Sequence, residues 1–279
     1  MNSKAAGLFS IRTSNQKIFY REVLETLNGA RVSFLVGGGH AFAVYSGSSR
    51  KTKDMDLFVR PADVEITLKT LADKHYKTEL CYPHWLGKIY YHRDFIDLIF
   101  SSGNGVCTVD DDWFEHAVTG QVFDIPVMFC PPEEMIWAKA FVMERERYDG
   151  ADVAHLIHAC ATLLDWPRLL ERFGPHWRVL LSHLVLFGFI YPSDRSLVPV
   201  LVMESLLDQL QKEKGDPLSR NRVCRGTLLS RTQYRDDVES WGYDDGRQLP
   251  CGPLTAEQAA EWTAAGEDKL SVLPGRNYR

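Results

Sequence analysis

Apolar residues recur at helical spacing from Ile18 to Leu27, and the period then changes. Val32 to Val36 is a short apolar run that stops at Gly37-Gly38-Gly39, the pattern of a buried strand entering a tight turn. A short helix from His40 to Tyr45 is predicted next, followed by a strand from Met55 to Val59 and a helix from Pro61 through Leu71. Lys88 to Tyr91 and Phe95 to Phe100 flank the polar His92-Arg93-Asp94, as the two arms of an antiparallel hairpin would. Val122 to Phe129 reads as one further strand. Pro131-Pro132-Glu133-Glu134 has proline and acids where a helix N-terminus favours them, and Met135 to Arg147 is expected to continue that helix.

From there to about residue 213 the spacing is helical: Val153 to Leu164, Trp166 to Phe173, Trp177 to Ile190 and Leu197 to Leu210. The expected architecture is α+β, with a small mixed sheet in residues 1–130, a helical domain in 131–214 and a polar arm in 215–279. The arm is rich in glycine and proline, with Trp241 and Tyr243 as its main anchors, and is expected either to pack on the body or to be partly disordered.

Composition narrows the function classes. A net charge of -5 excludes a chain-wide basic field, so any nucleic-acid contact has to be local. The longest apolar stretch, Val179 to Ile190, is broken by Ser182 and His183 and falls short of the ~20 apolar residues of a membrane-spanning helix. It is expected to be a buried helix, and no membrane partner is expected. The N-terminus lacks the apolar core of a secretory signal, and six cysteines occur without any C-x-x-C pair, so reduced thiols in a cytoplasm are the expectation.

The candidate chemistry lies in Gly37-Gly38-Gly39 and the Asp54-Met55-Asp56 strand start that follows. Glycines let a backbone approach a phosphate, and the following helix turns free N–H groups and its positive end toward the anion. Side chains alternate along a strand, so Asp54 and Asp56 share one face. Two adjacent carboxylates repel, and Mg²⁺, or Mn²⁺ in its place, suits such a site with phosphate and water completing its shell. Asp97, amid the apolar Phe95 to Phe100, needs a partner: either the same metal or a salt bridge to an arginine or lysine. Asp94 is a rival third ligand in a more exposed turn.

This glycine turn, the Asp54-x-Asp56 strand and the Asp97 strand resemble the polymerase-β-like nucleotidyltransferases, over roughly residues 18 to 160. The likeness is to the small bacterial branch of abortive-infection-type toxins and minimal nucleotidyltransferases, whose Arg-x-Thr-x-Asp-x-Asp pattern is matched by Arg50, Thr52, Asp54 and Asp56. The helix lysine and acidic turn of that branch look like Lys139, Asp149 and Asp152. The resemblance implies a nucleoside triphosphate held by Gly37, Gly38, Gly39, Arg50, Lys53 and Lys139. It also implies Asp54, Asp56 and Asp97 as metal-binding catalytic carboxylates, and an acceptor hydroxyl on RNA, protein or a small molecule. A cognate antitoxin-like protein is a further implied partner. Two features depart from the pattern: Gly39 stands where many members carry a serine, and fourteen residues separate Gly39 from Asp54, a long interval. A non-catalytic member that keeps the fold and binds a nucleotide or a partner protein is the alternative.

Four other features have plainer readings. His40 is expected to fix a helix start more than to catalyse. Asp110 to Asp112 resemble helix capping, and Lys139 either reaches solvent or meets a phosphate. Between Arg220 and Arg235 five arginines occur without an acid, a possible RNA strip that the five acids of Asp236 to Asp245 could equally neutralise.

Overall fold

The computed structural model describes residues 14–48, 52, 54–215 and 221–271. Helix α1 (Ser14–Gly29) buries Phe19, Val23, Leu24 and Leu27 on one face and leads into β1 (Leu35–Val36). The glycine turn opens α2 (Gly38–Ser46), and β2 (Met55–Phe58) follows. A 3₁₀ turn at Pro61–Asp63 starts α3 (Val64–Ala72), as proline at a first turn predicts. Then come β3 (Lys77–Tyr82), β4 (Leu86–Tyr91) and β5 (Asp94–Ile99), with the His92-Arg93 turn where it was expected.

A small ribbon of β6 (Ser101–Ser102) and β7 (Cys107–Thr108) and the short α4 (Asp111–Glu115) lead to β8 (Val118–Val122) and β9 (Ile125–Phe129). The single strand expected over Val122 to Phe129 is thus a hairpin. Its turn, Phe123-Asp124, has both φ values positive, 51° and 67°, as a two-residue hairpin turn requires. The signal was masked because Phe123 extends the apolar run and no glycine marks the turn.

Among the described residues seven strands form one mixed sheet in the order β3-β4-β5-β2-β1-β9-β8. β2 runs parallel to β5 and β1 parallel to β9, while β1 and β2 are antiparallel. The central strands are buried through Met55, Leu57, Ile96 and Leu98, each fully inaccessible.

Helices follow the sheet: α5 (Pro132–Ala140), α6 (Gly150–Cys160), α7 (Trp166–Phe173), α8 (Trp177–Ile190) and α9 (Val200–Lys212). Their buried side chains, among them Ile136, Leu156, Phe173, Phe187 and Leu206, belong to the same apolar cluster as those of the sheet. The helix expected through Arg147 ends at Ala140. Beyond it Glu144 enters a loop and accepts hydrogen bonds from Ser230 Oγ at 2.6 Å and Arg231 Nε at 2.7 Å. A partner more than eighty residues away overrides local helical spacing there. α8 also departs from expectation, because only one face is buried; Val185 and Phe189 on the other are 57% and 83% exposed. Among the described residues no helix is long and apolar enough to cross a membrane.

The segment after residue 220 packs on the body. It contains β10 (Val223–Cys224), α10 (Arg235–Glu239), β11 (Asp244–Asp245) and α11 (Ala256–Ser271). Leu228 joins the main cluster, and Leu254, Ala259 and Trp262 form a second one against Trp85. Trp241, expected as an anchor, is 61% exposed; the buried tryptophan is Trp262, whose ring stacks on Trp85 at 4.8 Å. Arg231 and Arg235 of the arginine strip contact Glu144 and Glu239, and Arg222 lies over Tyr243. Arg220 lies outside the described residues.

Candidate active site

The site is built where β1 ends against the start of β2. Gly37 N–H donates to Asp56 O at 3.0 Å, which draws the glycine turn across the strand carrying the acids. Glycine is needed there for want of room. A Cβ on Gly38 would lie 1.6 Å from Asp56 Oδ2, and its φ of +51° disfavours any larger residue. A Cβ on Gly39 would meet Thr52 at 2.8 Å. The turn therefore seats the N-terminus of α2 directly beside the Asp56 carboxylate. No described side chain caps that end, so its N–H groups face the site.

Asp54 precedes β2 and Asp56 lies within it, separated by the buried Met55. β2 pairs with β5 in a register that sets Asp56 opposite Asp97. Asp56 and Asp97 are thus direct neighbours on adjacent strands although forty-odd residues separate them in the chain. Burial first, then repulsion from Asp54 and Asp97, push the Asp56 carboxyl up to about 7 against the pull of Lys139 and Arg147. Burial alone raises a carboxyl, and the two neighbouring carboxylates add to it.

Asp97 has a cationic partner that residue types alone did not identify. β4 sets Lys88 opposite Asp97, and Lys88 Nζ ion-pairs with Asp97 Oδ1. Both side chains remain about a fifth exposed, at 23% and 19%. The signal was present in the turn: counting outward from a two-residue turn at His92-Arg93, Tyr91 faces Asp94 and Lys88 must face Asp97.

Lys139 neither reaches open solvent nor stands alone. Its Nζ lies 3.1 Å from Asp149 Oδ2 and 2.8 Å from Asp152 Oδ2, and Arg147 Nη2 lies 2.7 Å from Asp149 Oδ2. Burial would raise the Asp149 carboxyl, but Arg147 and Lys139 outweigh it and hold it below its usual range. This cluster, on α5, α6 and the loop between them, is close enough for Lys139 and Arg147 to act on Asp56. Arg50 and Lys53 lie outside the described residues.

Two aromatic groups back the site. His40, on the first turn of α2, is buried against Tyr20 and Phe123, and burial lowers its imidazole to about 4, so it is neutral near pH 7. The Tyr20 phenol, which sequence reasoning did not single out, accepts from Gln16 Nε2 at 3.1 Å; burial first, then Asp54 and Asp94, raise its ionisation. Asp110 and Asp112, expected as helix caps, instead pair with Arg172 at 2.7 and 3.1 Å, and no side-chain cap forms on α4.

The donor set suits a hard divalent cation. Asp54, just before β2, and Asp56, within it, offer oxygen ligands two residues apart. Among the described residues no three carboxylate, imidazole or thiol groups converge on a single point, and Asp97 is engaged by Lys88.

No family model matches the chain, and no curated protein does. Among solved structures it is similar to three nucleotidyltransferase-type proteins. The antibiotic-resistance factor ANT(2'')-Ia shares 17% identity over 61% of this chain and 97% of that chain, with a TM-score of 0.41. The lincosamide antibiotic adenylyltransferase LnuA, solved with lincomycin bound, shares 16% identity over 52% of this chain and 96% of its own, with a TM-score of 0.37. An antigenic nucleotidyltransferase-like protein from Paracoccidioides brasiliensis shares 15% identity over 66% of this chain and 93% of that one, with a TM-score of 0.43. At this distance the functional reading rests on the site's own geometry.

Proposed function

We propose that this chain is a metal-dependent nucleotidyltransferase that moves a nucleoside monophosphate from a nucleoside triphosphate to an acceptor hydroxyl. The observation that carries the reading is the juxtaposition of Asp54, Asp56 and Asp97 across β2 and β5, beneath a glycine turn that brings the open end of α2 against Asp56. Asp56 is pushed up to about 7, by burial first and by Asp54 and Asp97 next, so both neighbouring carboxylates act on it.

Asp54 and Asp56 would hold Mg²⁺ or Mn²⁺, which when bound supplies charge neutralisation for the triphosphate and its leaving group. The N–H groups at the start of α2 would receive phosphate oxygens, a role the turn's glycines permit by clearing side chains from the approach. Asp97 would accept a hydrogen bond from the acceptor hydroxyl and take its proton as the new O–P bond forms. The bond from the α-phosphorus to the bridging oxygen breaks, and pyrophosphate leaves with that electron pair. Neutral His40 and the Tyr20 phenol would keep the rear wall of the site free of competing charge.

The test is transfer of label. Protein incubated with each α-labelled nucleoside triphosphate, Mg²⁺ and a cell extract is expected to label one fraction of the extract, RNA, protein or small molecule. Asp56→Asn should abolish that label. Label that persists in the variant or in excess chelator would refute the reading.

A further inference from the structure

Register across four strands places four charged residues in one lateral row. Glu79 on β3 faces Lys88 on β4, Lys88 faces Asp97 on β5, and Asp97 faces Asp56 on β2. Directly paired residues project to the same side of a sheet, so this row runs from the sheet edge into the candidate site on one face. Lys88 is its only cation, and its position is fixed from two directions. Its Nζ pairs with the Asp97 carboxylate and lies 4.1 Å from the centroid of the Phe95 ring, two residues back on the same face of β5. A surface lysine bound by one loose ion pair would contribute little, but a carboxylate and an aromatic face together confine this ammonium beside the acids.

We propose that Lys88 stands in for a second divalent ion, so that the site works with one metal ion per chain, held on the Asp54–Asp56 side, and a lysine ammonium on the Asp97 side. This rests on the nucleotidyltransferase reading above. Charge supports it. Lys88 offsets the charge of Asp97 directly, which leaves a single divalent ion the Asp54 and Asp56 carboxylates to hold. The neighbouring Lys139 and Arg147 form ion pairs with Asp149 and Asp152 and act on Asp56 from outside the row. Lys88 is therefore a positioning residue, which orients the Asp97 carboxylate toward the acceptor hydroxyl in place of an ion.

Native mass spectrometry of the full chain with Mn²⁺ and a non-hydrolysable ATP analogue counts the ions directly. Wild type is expected to carry one Mn²⁺ and one nucleotide, and Lys88→Arg the same. Lys88→Met, which removes the ammonium from the Asp97 carboxylate, is expected to carry two Mn²⁺. Two ions on wild type would overturn the proposal while leaving the nucleotidyltransferase reading intact. A count that stays at one in Lys88→Met would also overturn it, since a purely structural lysine leaves the count unchanged. No ion on wild type would overturn both. The wild-type count decides even if Lys88→Met does not fold.

Discussion

Two groups of charged side chains lie within electrostatic reach of each other in this molecule, and they are built on opposite principles. In the cluster on α5 and α6, Lys139 and Arg147 are matched by Asp149 and Asp152, and Asp149 is held below its usual range. In the row on β2, β5 and β4, Lys88 pairs with Asp97, and Asp56 is pushed up to about 7 by burial and then by Asp54 and Asp97. The balanced cluster ties two helices together through its own ion pairs. In the proposed reading the row is completed by a cation, which is how a binding site differs from a scaffold made of the same residue types.

The largest expected contrast comes from removing one acid from each. Asp149→Asn takes the counter-charge from Arg147 and leaves Lys139 with Asp152, and should cost about 1.5–3 kcal/mol of stability, as losing hydrogen bonds between charged groups does. Denaturant unfolding measures it, and a loss below about 1 kcal/mol would mean that the cluster is not structural. Asp56→Asn should do the reverse. Stability in chelator is expected to equal or exceed that of wild type, because the carboxylate it removes is disfavoured by its surroundings. Transfer should nonetheless fall by a thousandfold or so, ~4 kcal/mol of activation free energy. A marked drop in the melting temperature of the metal-free variant would make Asp56 a structural residue instead.

How much of this contrast was legible in the sequence follows from the range of the interactions. The glycine turn and the Asp54–Asp56 pair could be read because their spacing is local and the constraints on them are steric. Asp97 could be suspected from its apolar flanks, but its neighbour across β5 and β2 depends on a parallel pairing that periodicity does not specify. Lys88 was recoverable only by counting from the His92-Arg93 turn. The partners of Lys139 could be named but not weighed. The end of α5 was beyond reach, because Glu144 is drawn from the helix by Ser230 and Arg231, far along the chain.

pH should separate the two groups next. The Asp56 carboxyl is raised when folded, so its protonated form stabilises the fold: metal-free stability should increase as pH falls from about 7 toward the unfolded value near ~4. Asp149 is depressed, so its contribution is present above the unfolded value and is lost as pH falls below it. Melting temperature in chelator should therefore rise between about pH 7.5 and 5, by an amount equivalent to roughly 1–2 kcal/mol, and then fall at lower pH. Asp56→Asn should flatten the upper limb alone. A wild-type profile that declines steadily from pH 7 to 4 would place Asp56 in a balanced environment and remove the contrast.

The smallest effect is expected where the two groups touch. Arg147 bonds Asp149 but leaves 63% of its side chain in solvent, so Arg147→Gln should cost no more than about 0.5–1 kcal/mol of stability, as exposed ion pairs do. Lys139 and then Arg147 lower the Asp56 carboxyl against its burial, so losing the arginine should move that group further up from about 7. The consequence is measurable without an acceptor. Mg²⁺ binding to the carboxylate form displaces a proton, and calorimetry in buffers of different ionisation enthalpy counts it. At pH 7 the variant should release a larger fraction of a proton than wild type and bind Mg²⁺ slightly more weakly. Unchanged proton release would show that Arg147 has no electrical reach into the row and leave Lys139 as the cluster's link to Asp56.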